Sequence, residues 1–324
     1  MKIKNPFFKK NSNIYLSDIY KTLGLKKPKK DLKINDISDL KSSSYNDISF
    51  YNNSNYLELL KKSKVKYVIS NEKYFKSIKN YCHPILVKNV LKSVYEIINL
   101  FYPEALNDAI DFNLTEPDKT NNKITFGKNV LFGKNIKIGN NTIIGHNTII
   151  ESNVMIGSNC IIGNNVLIKN TIVGKNVRIM DGAIIGKKGF GFFPDKKINA
   201  RYPHIGMVII KDNAEIGCNN TIDRGSISNT VIGKNTFIDN QVHIAHNVNI
   251  GDNCIITGQV GFAGSSKIGD NVSIGGQAGI SGHLIIGNNV QIGGGSGVIK
   301  NIPDNVKVMG YPAKDIRSFI KDNK

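Results

Sequence analysis

At 324 residues the chain has room for two domains, and 43 Lys and Arg against 25 Asp and Glu leave a net charge of +18. That excess points to acidic partners, although Lys, Asn and Ile are used heavily along the whole chain, so biased composition accounts for much of it. No stretch is long and apolar enough to span a bilayer, the start Met1-Lys2-Ile3-Lys4-Asn5-Pro6 lacks the apolar core of a signal peptide, and no basic run is interleaved with aromatics, so neither an integral membrane span nor a nucleic-acid partner is expected.

Residues 1–112 alternate short strand-like and helix-like runs and predict a small α/β domain. Asp47–Tyr51, Val65–Ile69 and Pro84–Val87 read as strands. Between the first two, Tyr56–Lys62 reads as a short helix with Ser54 as N-cap. Leu91, Val94, Ile98 and Phe101 mark one face of a helix ending near Pro103. A polar stretch, Asn113 to Asn122, joins this domain to the next.

Residues 113–302 are governed by an apolar residue that returns every six positions. One register runs Phe126, Phe132, Ile138, Ile144, Ile150, Ile156, Ile162, Ile168; a later one runs from Ile238 through Ile244, Ile250, Ile256, Phe262, Ile268, Ile274, Ile280, Ile286 and Ile292 to Val298. A helix needs a period near 3.6 and a strand a period of 2, so a sustained six implies a repeat architecture. Three six-residue sides make a triangular coil, and stacked coils bury the repeated residue in a parallel β-helix of roughly ten coils, about 4.8 Å apart. The Gly or Asn after each inward residue is expected at the corner, where positive φ is needed. The register slips between Ile168 and Val173 and between Ile222 and Ile232, and Gly186–Pro194, rich in glycine and aromatics, interrupts it as an excursion. Residues 303–324 form a tail with a short helix at Asp315–Lys321, expected to cap the open end of the prism.

Cys82, Cys160, Cys218 and Cys254 show neither paired nor metal-type spacing, which suits reduced thiols in a cytoplasm and no metal. Three of the six histidines, His243, His246 and His283, fall in the second register. His246 and His283 are 37 residues apart, one more than two coils, which puts them on the same edge of the prism. An outer-wall imidazole near neutrality can serve as a general base, although an isolated one is more often a solvated turn residue.

The segment Ile238-Asp239-Asn240-Gln241 … Ile244-Ala245-His246-Asn247, with Gly282-His283 beyond it, resembles the UDP-3-O-(3-hydroxyacyl)glucosamine N-acyltransferases of the lipid A pathway. Gly189-Phe190-Gly191-Phe192, Thr221-Ile222-Asp223-Arg224-Gly225 and Ile48-Ser49-Phe50 extend the resemblance over nearly the whole chain. It implies a mainly β protein: a left-handed parallel β-helix of hexapeptide repeats with a small N-terminal α/β domain and a short C-terminal helix. It also implies a homotrimer and transfer of a 3-hydroxyacyl chain to the 2-amino group of a UDP-acylglucosamine substrate. The donor would be the phosphopantetheine of acyl carrier protein, with no tightly bound cofactor.

Carried over residue by residue, the resemblance makes His246 the proton acceptor and His283 the second histidine of the site. Asp239 becomes the candidate orienter of the imidazole and Asn240 a candidate hydrogen-bond donor. Phe50, Asn53 and Tyr56 match the family's uracil site, where two rings sandwich a planar base and an amide reads its edge. Glycines 293, 294, 295 and 297 would leave room for an acyl chain, or simply meet corner geometry. An additional ionisable group, His204, lies near the interrupted coils. The same prism also serves acetyl-coenzyme A-dependent sugar acetyltransferases, which would lack the uracil site. Zinc carbonic anhydrases need three converging histidines, and non-catalytic scaffolds would bind no nucleotide sugar.

Overall fold

A computed structural model describes residues 5–118, 123–194 and 199–310; the tail helix expected at Asp315–Lys321 and the last four residues of the linker, 119–122, lie outside the described residues. The chain divides into two compact units. One comprises residues 1–112 together with 188–207 and 224–229; the other holds 113–187, 208–223 and 230–324. The excursions of the hexad region therefore group with the N-terminal segment instead of with the repeats on either side.

In the first unit, parallel strands Ile48–Phe50, Tyr67–Ser70 and His83–Leu86 form a three-stranded sheet. Period-two alternation splits its side chains between two cores. Ile48, Tyr67, Ile69 and Ile85 join one cluster, while Val68 joins Tyr51, Leu60 and Ile78 in the other. The helix Val90–Phe101 is capped by Asn89, whose side chain accepts from the Lys92 N–H, and buries Val90, Val94, Ile97, Ile98 and Phe101. Leu91, expected on that buried face, is exposed because the apolar stripe runs one position earlier, through Val90. Ile205, Tyr202 and Ile227 of the excursions pack into the first cluster.

The second unit is a left-handed parallel β-helix. Among the described residues its three faces carry ten, nine and eight hydrogen-bonded parallel strands. We call them first (strands such as Phe237–Ile238), second (His243–Ile244) and third (Asn249–Ile250) in the order the chain visits them. The usual right-handed preference applies to crossovers that pack back over one sheet; here each crossover is two more short strands of the same wall. The registers predicted from the period hold. Ile238, Ile244, Ile250, Ile256 and their successors to Val298 are buried, and each pairs with the equivalent residue of the next coil.

The corners differ from expectation in an instructive way. Positive φ falls three residues after the inward residue, at Asn141, Asn147, Asn153, Asn253 and Asn271 for example, and not at the glycine that follows it. Those glycines are required by close approach. A Cβ on Gly145 would lie 2.6 Å from the backbone of Gly163 in the next coil, and one on Gly251 would lie 2.4 Å from the Gly269 carbonyl oxygen. The corner asparagines also bond to one another from coil to coil, as Asn235 does to Asn253 at 2.9 Å.

The breaks in the hexad fall on one edge, the passage from second to third face. Leu167–Ile168 leads to Thr171–Val173, Ile184–Lys188 to Val208–Ile210, Thr221–Arg224 to Thr230–Ile232, and Gly297–Val298 to Ile302. At the other end of the prism, Thr115 pairs antiparallel with Phe132, each N–H donating to the other's carbonyl at 2.8 Å.

Candidate active site

Regular corners share a device. The residue two past the inward position bends a side-chain oxygen onto the backbone N–H of its counterpart one coil earlier. On the third-to-first edge this runs unbroken: Lys234 N–H to Asp252 at 2.8 Å, Asp252 N–H to Asp270 at 2.7 Å, Asp270 N–H to Asn288 at 2.8 Å and Asn288 N–H to Asp304 at 2.7 Å. On the second-to-third edge the same column reads His246, Gly264, Gly282. Gly282 has no side chain to turn back, and among the described residues the Gly264 N–H makes no hydrogen bond. Ala245 and Ala263 stand where regular corners need glycine, so this edge has more room than the others.

His246 is half-buried on that edge, and its Nδ1 lies 2.8 Å from Asn247 Oδ1. A side-chain carbonyl oxygen only accepts, so Nδ1 carries the hydrogen and Nε2 presents its lone pair. Asn247 is itself buried and fixed, its N–H donating to Thr230 Oγ1 at 2.9 Å. A Cβ on Gly264 would sit 2.8 Å from His246 Cε1 and 2.9 Å from Nε2, so the imidazole lies against the bare glycine backbone of the next coil. Burial holds the His246 pKa below the ordinary imidazole value; the Asn247 hydrogen bond opposes this, and the charge of His283 adds to the lowering. The ring is thus a neutral acceptor at neutral pH.

His283 lies on the same edge, as its spacing predicts, but in the neighbouring column. It occupies the positive-φ corner that Asn247 and Ser265 occupy in the preceding coils, with φ of 61°, and it is exposed. Asp239 and Asn240 lie on the opposite edge of the second face. Within one chain the imidazole is oriented by Asn247, which the sequence reading passed over, and not by Asp239. Asn240 Oδ1 caps the Cys218 N–H at 2.7 Å, which leaves its amide NH₂ as the donor. His243 faces outward on the second face, with Nδ1 2.7 Å from Thr221 Oγ1 and Nε2 4.0 Å from Asp223. His204 is fully buried in the first unit, its Nδ1 3.0 Å from the Tyr202 carbonyl oxygen.

The uracil candidates lie in the first unit. Phe50 ends its strand half-buried against the first core cluster, whereas Tyr56 packs against the second. The turn between them is Ser54–Tyr56 in 3₁₀ form, followed by the helix Leu57–Lys62. Its cap is Asn53, not Ser54: Asn53 Oδ1 accepts from the Asn55 N–H at 2.9 Å. That bond fixes the side chain with its NH₂ as the group available to a ligand. Among the described residues, no group of three His, Cys, Asp or Glu side chains is placed to hold a metal ion, and no helix is long and apolar enough to cross a membrane.

The family model for the bacterial transferase hexapeptide (six repeats) matches residues 135–170 and 229–264. UDP-3-O-acylglucosamine N-acyltransferases of Rhizobium rhizogenes and Rhizobium johnstonii are each 56% identical to the chain over 72 residues. The aligned stretch covers 22% of this chain and 20% of each relative. The solved structure of the UDP-N-acetylglucosamine acyltransferase of Francisella novicida aligns over 61% of this chain and 73% of its own, with 27% identity and a TM-score of 0.53. The resemblance read from the sequence is therefore met by sequence relatives of that name and by a solved acyltransferase of similar fold.

Proposed function

We propose that the chain is an N-acyltransferase that moves a 3-hydroxyacyl group from the phosphopantetheine of acyl carrier protein to the 2-amino group of a UDP-3-O-(3-hydroxyacyl)glucosamine. The observation that carries this reading is one edge of the prism where a neutral imidazole lies against an uncapped backbone N–H. His246 Nε2 takes a proton from the amine as nitrogen attacks the thioester carbonyl carbon. The carbonyl oxygen becomes an oxyanion and accepts a hydrogen bond from the Gly264 N–H, a contribution of about 3 kcal/mol for a well-placed donor. The adduct collapses with cleavage of the C–S bond, and the imidazolium returns its proton to the departing thiolate. Amide and thiol are the products, and His246 is neutral again. His283, one column away on the same edge, is suited to hold the thioester or the acceptor.

Other features support the wider reading. Phe50 and Tyr56 with the Asn53 amide suit a uracil ring. An open, largely apolar groove of ≈ 510 Å³, lined by Ile255, Thr257, Gly275, Gly293 and Met309 among others, has room for an acyl chain. Paired apolar residues point outward from the first face, Ile143 with Ile161 and Phe237 with Ile255, and would be buried against second copies of the chain in a homotrimer. The four cysteines are free thiols, consistent with a bacterial cytoplasm. The test offers a UDP-3-O-acylglucosamine amine with 3-hydroxyacyl carrier protein and acetyl-coenzyme A in competition, and reads the products by mass spectrometry. The amide bearing the hydroxyacyl chain is expected; acetylated product alone, or no acylated product, overturns the reading.

A further inference from the structure

The excursion that interrupts the hexad gathers positive charge within the first unit. Lys188 Nζ donates to the Leu106 carbonyl oxygen at 3.0 Å. Two residues further along that segment, Asp108 pairs with Arg224 at 3.0 Å, and the Arg224 guanidinium is 1% exposed. Arg224 is also held by the His204 carbonyl oxygen at 3.1 Å. Arg201, across the hairpin formed by Phe192–Pro194 and Asn199–Arg201, donates to the Gly189 carbonyl oxygen at 3.1 Å, next to Lys188. Its guanidinium lies 5.4 Å from the centre of the Phe190 ring. Lys188 and Arg201 are thus anchored to the backbone at Leu106 and Gly189, and Arg224 to the Asp108 carboxylate and the His204 carbonyl.

Such a cluster is unfavourable by itself. Like charges in a partly desolvated place repel, and burial of an ammonium costs more when its neighbours are cations. Lys188 registers this: burial lowers its pKa, Arg201 and Arg224 lower it further, and Asp108 acts in the other direction. Since Asp108 already faces Arg224, the cluster carries an excess of about two positive charges, which matches the two negative charges of a diphosphate diester. Arg201 and Lys188 each keep further N–H donors after their single backbone bond, and guanidinium and ammonium groups are the usual phosphate partners. Phe50, a uracil candidate of the same unit, packs against the same core cluster as Tyr202, which stands beside Arg201 in the excursion.

We propose that Lys188 and Arg201 bind the diphosphate of the nucleotide-sugar acceptor, with Arg224 as the buried charge behind them. This rests on the uridine reading of Phe50, Asn53 and Tyr56, and the experiment separates the two. Calorimetric titration of the full chain with UDP, uridine and inorganic pyrophosphate is compared for wild type, Lys188→Met, Arg201→Gln and Lys188→Arg. Each charge-removing substitution is expected to weaken UDP and pyrophosphate about tenfold or more and to leave uridine within about threefold, while Lys188→Arg restores UDP binding. Weaker UDP binding at higher salt should flatten in the variants. Unchanged UDP affinity in both charge-removing variants overturns the proposal, as does a parallel loss of uridine and UDP or a wild type that binds neither UDP nor pyrophosphate. Pyrophosphate binding that depends on both residues, in a wild type indifferent to uridine, would keep the anion site and remove the uridine reading.

Discussion

The third-to-first and second-to-third edges of the prism are built from the same six-residue unit, yet they spend its second corner position differently. On the first of these, Asp252, Asp270, Asn288 and Asp304 each turn back to satisfy a backbone N–H one coil away. On the other, the column His246, Gly264, Gly282 leaves the Gly264 donor uncommitted and places an imidazole against it. The capped column uses its polar groups for stability, whereas the stretch from His246 to Gly282 leaves them open to the proposed ligand. In a solenoid, a candidate site is marked by the place where the repeat stops satisfying itself.

His246→Ala is expected to fold normally and to lose at least ~100-fold in kcat, read by turnover alongside circular dichroism; near-wild-type turnover removes the base. Gly264→Ala and Gly251→Ala form a matched pair. At 264 the added methyl meets an imidazole that can swing away, so the ring is displaced and activity drops about tenfold to a hundredfold with little change in Tm. At 251 it meets the backbone of the next coil, so about 1–3 kcal/mol of stability is lost in denaturant unfolding while activity per folded molecule persists. Asp270→Ala removes one cap from the Asp252 N–H at an exposed corner and should cost about 0.5–1 kcal/mol with no effect on turnover; Asp270→Asn should restore it, as Asn288 serves the same role.

The smallest effect is on pH dependence. Because the folded His246 pKa is depressed, the base is already deprotonated at neutrality, and the acid limb of kcat/KM should fall below about 6.5. Asn247→Ala removes the bond that favours the protonated ring, so the limb should move to still lower pH. His283→Gln removes a like charge, so it should move upward. A limb above the ordinary imidazole range in wild type would contradict the desolvated environment.

Much of this was legible in the residue order. The six-residue return of Ile fixes what must point inward, and every residue from Ile238 to Val298 in that register is buried or nearly so. The N-terminal strands were legible from their apolar runs. What escaped depends on neighbours eighteen residues away. Conformational freedom is the commonest reason for a glycine at a corner, whereas coil-to-coil contact is the reason here. Asn247 and Gly264 carry no local signal; one is an ordinary corner asparagine and the other an ordinary glycine until stacking sets them beside His246. Ser54 and Asn53 are equally good caps by residue type, and only the 3₁₀ turn, which starts the helical stretch one residue earlier, makes Asn53 the cap. The breaks in the hexad were visible, but their sharing a single edge emerges only when coils are laid over one another.

One modest contact has a larger meaning. A stack of parallel strands with an open rim is the backbone arrangement of a growing amyloid fibril, and nothing in the repeat itself says where to stop. The antiparallel exchange between Thr115 and Phe132 pairs the edge strand of the second face with a segment running the wrong way for a further coil. On that face it turns a polymerisable edge into a finished end.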